Sequence, residues 1–175
     1  MDCWSRVNKI GNYDDKGNWA ASGMINQSLL ETMMSDSYFS RQYPKSTGPD
    51  YFNHEWIKDK LLQSSLKITP RDVQATLLQV TVLSLMNSIN SLQLSDQNIY
   101  LCGGGIHNEL LCKEINKNCK TEVKTTAELG IDPDYLEAIC FAWLAKQRID
   151  KKSFNLNRIT GSKGKVYLGR IYNPS

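Results

Sequence analysis

Residues 68–92 read ITPRDVQATLLQVTVLSLMNSINSL, and this stretch limits the fold more than any other part of the chain. Thr69 stands where a helix cap belongs, and Pro70 takes the first helical position, where its missing N–H goes unneeded. Asp72, three residues after Thr69, can reach back in a capping-box arrangement. The apolar residues Val73, Leu77, Val80, Leu83, Leu85, Met86 and Ile89 spread around most of the helical circumference. A helix that is apolar on most sides is buried. The remaining elements must therefore enclose it.

Upstream, apolar residues at Met24, Ile25, Leu29, Leu30 and Met33 predict an amphipathic helix over residues 21–34, after a turn at DDKGN. The next stretch, SDSYFSRQYPKSTGPDYF, is too apolar for a linker and too punctuated for a helix, so it reads as an ordered loop packed on the body. A short helix starts near Asn53, a cap candidate, with Ile57 and Leu61 one turn apart.

Downstream, NIYLC is a strand candidate, followed by three consecutive glycines and a helix over residues 109–118. TEVKTT alternates weakly and reads as a second strand. In GIDPDYLEAICFAWLAKQRI, Asp132 is a cap candidate and Pro133 takes the first turn. Leu136, Ile139, Cys140, Trp143 and Leu144 form one apolar stripe there, and KVYLGRIY closes as a strand or extended tail. Strand, helix, strand, helix places the second half in the α/β class, with no internal boundary.

The glycines ask for a reason, because each loses much conformational freedom on folding. A strand, a glycine turn and a helix start present free amides and the positive end of a helix dipole, a natural phosphate site. No G-x-x-x-x-G-K-[ST] pattern occurs, and G-x-G-x-x-G fails because Asn108 stands where its last glycine belongs. The competing reading is a helix-entry turn whose glycines merely pack closely; Asn108 can either cap the helix or meet a ligand. PKSTG, residues 44–48, offers an ammonium and two hydroxyls for a phosphate or sugar, or is a surface turn. Glu137 sits at the edge of the apolar stripe, as an early-helix acid that suits the dipole or as a carboxylate with a partner or a cleft.

Bulk properties narrow the classes. The net charge is +3 with basic residues scattered, so no nucleic-acid footprint is present. The five cysteines form no CxxC, which favours buried thiols in a reducing compartment over disulfides or zinc. Two histidines nearly exclude imidazole-based metal sites, and no long apolar run or signal-like start appears, so the cytoplasm is expected.

CGGGIHNELL, TTAELGIDPDYLEAICFAWLA and ITGSKGKVYLG together resemble the closing half of the anhydro-N-acetylmuramic acid kinases, as do DDKGNWAASGMINQSLLETMMSDSYF, PKSTGPDYFN and DVQATLLQVT. The resemblance runs from about Asp2 to the end. It implies a helix-rich α/β lobe, the C-terminal one of an actin-like ATPase and sugar-kinase fold, occupying residues 1–175 as a single partial domain with the first lobe absent. It further implies ATP and magnesium, a homodimer, and phosphorylation of 1,6-anhydro-N-acetylmuramic acid at its 6-oxygen. Water opens the anhydro ring in the same event, giving N-acetylmuramic acid 6-phosphate in cell-wall recycling.

Carried over, Gly103, Gly104, Gly105 and Asn108 look like the nucleotide-binding turn, and Glu137 matches a glutamate that contacts the sugar. Lys45, Ser46 and Thr47 fall in a segment like an active-site wall, although the family pattern PPKSTGRE is broken here by Tyr43, Pro49 and Asp50. The family's general base lies in a D-T-G-P-G-N-like motif that this sequence does not contain, so the chain alone is expected not to turn over. A separately encoded N-terminal half is the partner this implies. A non-catalytic remnant that binds nucleotide or dimerises is the alternative, and an unrelated dinucleotide enzyme is disfavoured by Asn108.

Overall fold

The computed structural model describes residues 1–64, 67–92 and 98–172. The helices are α1 (Asp2–Val7), α2 (Asn18–Ala21), α3 (Gln27–Met34), α4 (Ser37–Ser40), α5 (His54–Ser64), α6 (Pro70–Ser91), α7 (Glu109–Asn118), α8 (Leu136–Ile149) and α9 (Asn157–Thr160). Among the described residues four short strands accompany them: β1 (Ile99–Leu101), β2 (Val123–Thr125), β3 (Phe154–Asn155) and β4 (Lys165–Val166). The architecture is helix-rich α/β with two small sheets.

Helix α6 is the axis of the molecule, as its apolar circumference requires. One side contributes Val73, Leu77 and Val80 to a cluster with Trp4 of α1, Leu29, Leu30 and Met33 of α3, and Ile57 of α5. The other side contributes Leu78, Val82 and Met86 to a second cluster with Ala20 of α2 and Leu111 and Ile115 of α7. Two cores therefore share one helix. Its entry differs from the expected capping box: the Thr69 hydroxyl donates to Asp72 Oδ2 at 2.6 Å rather than capping an amide, and Asp72 Oδ1 accepts from Met24 N at 2.8 Å. Asp72 is thus spent holding the preceding loop against the start of α6.

That loop corrects the expected helix over residues 21–34. Asn26 accepts from Leu29 N at 2.9 Å and begins α3 at Gln27, because the cap fixes the start and the tie from Met24 to Asp72 keeps the chain extended before it. Met24 is consequently 78% exposed rather than part of a helical stripe. The aromatic loop packs through its rings as expected, but it also holds the short helix α4, and residues 40–44 and 49–51 are exposed. Tyr38, Phe39, Tyr51, Phe52 and Trp56 interlock with ring centroids 4.9–6.0 Å apart.

Asp36 anchors this loop: it accepts from Tyr38 N at 3.0 Å, Tyr51 Oη at 2.7 Å and Trp56 Nε1 at 2.9 Å, with Lys60 Nζ at 3.4 Å. Burial alone would push its carboxyl up. The donors and the Lys60 charge outweigh that and hold it at about 2.

Strands β1 and β2 pair in parallel, Ile99 with Val123 through Leu101 with Thr125, joined across α7 in a strand–helix–strand unit. Strands β3 and β4 pair antiparallel, so only Lys165–Val166 of the closing segment is a strand. Helix α8 departs most from expectation. Asp132 Oδ1 accepts from Asp134 N at 2.9 Å in a tight turn instead of capping a helix, and the helix begins only at Leu136. Its stripe is not enclosed either. Ile139 and Cys140 are exposed, and Trp143, against Phe154 at 5.4 Å, is still 50% exposed. The thiols follow the same division: Cys3, Cys112 and Cys119 are half-buried, while Cys102 and Cys140 are exposed rather than buried. Among the described residues no helix is long and apolar enough to cross a membrane.

Candidate functional site

The glycine turn leaves β1 and enters α7. Gly103 has φ +78° and ψ 176°, a conformation open essentially to glycine alone. Its amide donates to Pro133 O at 2.9 Å, which ties the turn to the segment ahead of α8. Ile106 N donates back to Gly103 O and Asn108 N to Gly105 O, at 3.1 and 3.2 Å. These bonds leave the amides of Gly104 and Gly105 out. A Cβ added at Gly103 or Gly104 would meet nothing within 4 Å, and one at Gly105 would only touch Leu111 at 3.9 Å. Close packing against protein therefore does not explain the three glycines.

Asn108 resolves to a cap. Its side-chain oxygen accepts from Leu111 N at 2.9 Å and fixes the start of α7. The close packing that the sequence suggested for the glycine triplet occurs instead at Gly17. This residue has φ +78°, and a Cβ there would collide with the Asn108 side chain and sit 2.7 Å from Leu110 Cβ. The DDKGN turn is thus pressed against the start of α7, and Lys16 Nζ bonds Glu109 Oε1 at 2.9 Å across the contact, which raises the lysine's pKa.

Together these segments wall a cavity of about 710 Å³ lined by Asp14, Asp15, Lys16, Gly104, Gly105 and His107, among others. Its wall is mixed in charge. Asp14 is only 4% exposed, and its two oxygens accept from Trp19 N at 2.8 Å, Ala20 N at 2.9 Å and Gln74 Nε2 at 3.1 Å. His107 Nε2 lies 2.9 Å from Asp134 Oδ1, a second tie between the turn and the approach to α8. Sequence reasoning passed over Asp14, His107 and Asp134. An acid four residues ahead of a short helical run was a cap signal for Asp14, whereas the His107–Asp134 pair, 27 residues apart, left no local trace.

Lys45 and Thr47 line a different, mostly apolar cavity of about 590 Å³, which Gly105 and Ile106 also reach. Lys45 Nζ donates to Phe39 O at 3.1 Å and Tyr38 O at 3.4 Å and stands 5.2 Å from the Tyr38 ring centre. Its ammonium therefore closes the end of α4. Ser46 is exposed. The structure thus brings Lys45 and Thr47 onto a common wall with the glycine turn. Glu137 is exposed on the first turn of α8, four residues beyond Pro133, and lines none of the cavities described here. Among the described residues no group of three or more His, Cys, Asp or Glu side chains is placed to hold a metal ion.

These elements define a helix-rich α/β protein in which an open glycine turn, following a strand, and the start of a capped helix line a cavity of mixed charge. A family model described as anhydro-N-acetylmuramic acid kinase matches residues 1–174. Proteins named anhydro-N-acetylmuramic acid kinase are similar throughout: that of Coxiella burnetii is 43% identical over 173 residues, covering 98% of this chain and 46% of the relative. That of Pseudomonas savastanoi pv. phaseolicola is 42% identical, covering 98% and 47%, and that of Pseudomonas syringae pv. syringae is 40% identical over the same shares. The chain belongs to the anhydro-N-acetylmuramic acid kinase family. It spans about half the length of the curated relatives it matches.

Proposed function

We propose that this chain supplies the nucleotide-binding lobe, of actin-like ATPase and sugar-kinase type, of an ATP-dependent kinase. The reaction would phosphorylate 1,6-anhydro-N-acetylmuramic acid at its 6-oxygen with opening of the anhydro ring, in the cytoplasm. The observation that carries this reading is the open space over Gly103 and Gly104, beside amides that the turn's own bonds do not use. Phosphoryl transfer depends on positioning and on neutralising charge. Backbone amides at Gly104 and Gly105, which the turn's own bonds leave out, would cradle the phosphates, where side chains would block the approach.

The residues present suit a magnesium nucleotide better than a bare one. Asp2 and Asp15 stand in the same cavity wall as Lys16 and repel naked polyphosphate, whereas magnesium offsets that charge. Magnesium keeps several waters and needs only one or two carboxylates, and Asp15 is the nearest such group in the wall to Lys16 along the chain. Asn108 and the pair His107–Asp134 fix the turn rather than touch the phosphates. Glu137, exposed just past that pair, would meet the sugar from the second side, with Lys45, Ser46 and Thr47 forming the wall opposite. The general base is assigned to the part of the family chain not covered here, and the working enzyme is a homodimer of complete chains.

The test uses this chain copurified with the uncovered half of a relative, supplied with ATP, magnesium and the anhydro sugar. Sugar phosphate should form in the mixture and not with the pure chain. Glu137→Ala should raise the KM for sugar at least tenfold while leaving nucleotide affinity unchanged. Sugar phosphate from the pure chain, or unchanged sugar kinetics in the variant, would overturn these assignments.

A further inference from the structure

We propose that Lys16 is the phosphate-binding cation of the glycine-turn cavity, and that its ion pair with Glu109 holds it off until a nucleotide polyphosphate displaces the carboxylate. The inference rests on the nucleotide reading and deepens it, adding one residue and one self-blocking contact at the same site.

The charges in the wall are the first observation. Among the described residues that line the cavity, Lys16 is the only lysine or arginine, against the carboxylates of Asp2, Asp14, Asp15 and Glu109. Asp14 and His107 are already engaged. The Asp14 oxygens accept from the Trp19 and Ala20 amides and from Gln74, and His107 Nε2 lies 2.9 and 3.0 Å from the two oxygens of Asp134. Magnesium offsets the acids, but phosphate oxygens beyond its reach need donors of their own. A flexible lysine stem with three N–H groups at its tip supplies them.

The second observation is where that lysine stands. Lys16 has φ 54° and ψ 6°, left-handed backbone that a residue with a side chain rarely adopts. Such a conformation persists only where the surroundings impose it. Here they do. Gly17 N donates to Asp14 O at 3.1 Å, and Gly17 is pressed so closely on the start of α7 that a Cβ would collide with the Asn108 side chain. The turn cannot withdraw from α7, so the root of the Lys16 side chain is fixed at the cavity wall while its stem is free to swing.

The third observation is the partner. Lys16 Nζ bonds Glu109 Oε1 at 2.9 Å, and both side chains are more than half exposed. An exposed pair of this kind contributes little to stability, so exchanging it costs little. Glu109 lies in the first turn of α7, where a carboxylate suits the helix dipole, and it lines the same cavity as Gly104 and Gly105. It therefore puts negative charge into the space assigned to phosphate. A docked polyphosphate carries more charge than the carboxylate, repels it and draws the ammonium across. Glu109 thus weakens nucleotide binding in two ways, by repulsion and by holding the cation.

Titration calorimetry of the full chain with magnesium ATP tests this. Asparagine tolerates left-handed backbone, so Lys16→Asn removes the charge and keeps the turn. It should weaken magnesium ATP at least fivefold. The affinity that remains should fall at least twofold less than that of the wild type when potassium chloride rises from about 0.05 to about 0.3 M, since salt screens exposed charges. Glu109→Gln, on the helix surface, should tighten magnesium ATP at least threefold. Lys16→Asn made in that background should cost at least twice the factor it costs in the wild type, because no pair has then to be broken. Unchanged affinity or an unchanged salt response in Lys16→Asn would overturn the proposal and leave the nucleotide reading standing. So would unchanged or weaker binding in Glu109→Gln, or a Lys16→Asn cost no larger in its background. A wild-type chain that takes up no magnesium ATP would instead reject the nucleotide reading, and the proposal with it.

Discussion

Consecutive glycines with opposite requirements give the sharpest test of the turn. At Gly104 the backbone φ is not positive and an added Cβ meets nothing within 4 Å, so alanine fits without strain. Restricting the unfolded chain at such a site stabilises by about 0.4–1 kcal/mol. For a domain of this size that is a rise in Tm of about 1–4 °C. At Gly103, with φ +78° and ψ 176°, alanine would sit in a region reserved for glycine, at a cost of about 1–3 kcal/mol.

Adjacent Gly→Ala changes should therefore move stability in opposite directions, read by thermal unfolding followed by circular dichroism. Both should weaken nucleotide binding in the copurified complex, measured by titration calorimetry with a magnesium nucleotide, because the new methyl of Gly104→Ala enters the space assigned to phosphate. A Gly104→Ala protein destabilised by more than about 1 kcal/mol would show that its Cβ space is filled. A stabilised Gly104→Ala protein with unchanged nucleotide affinity would remove the phosphate from the turn.

Three further outcomes follow from packing and charge. The Asp36 carboxyl is held at about 2 against an ordinary 3.8, so its ionised form stabilises the fold above the unfolded value and this contribution fades as pH falls through about 2. At about 1.36 kcal/mol per pH unit the effect is about 2 kcal/mol, and denaturant unfolding of Asp36→Asn should lack that share of the wild-type loss between about pH 5 and pH 2; a wild-type-minus-variant difference that does not change with pH counts against it. Asp14→Ala strips the acceptor from two helix amides and the buried Gln74 amide, and urea titration should show a loss of about 3 kcal/mol, with a loss under about 1 kcal/mol refuting the network. Leu29→Ala opens a cavity at a fully buried position between α3 and α6 and should cost about 2–5 kcal/mol in the same assay.

The buried axis was legible because its evidence is local: a run apolar on most sides needs cover whatever the cover is, and α6 is embedded in two clusters. The strand, glycine turn and helix at residues 99–118 were legible for the same reason, since β1, the turn and α7 follow from short-range propensity and a cap at Asn108. Where local signals competed, the sequence misled. Met24 and Ile25 fit a helical period, but a long-range bond from Met24 N to Asp72 holds that segment extended. The α8 stripe has a core-like period, yet its Trp143 is 50% exposed, because period shows that a face is apolar and not what meets it.

The sequence by itself determined the class of fold, the family and the position of the glycine turn, all of which reside in residue order and short-range chemistry. Only the tertiary structure decided which glycines are open and which is packed: space over a Cα depends on what distant segments bring there, as the DDKGN turn is brought to the start of α7 at Gly17. Only the fold, likewise, paired His107 with Asp134 and brought the Gln74 amide to Asp14. Those relations join residues far apart in the chain, and packing free energy, not local propensity, selects them.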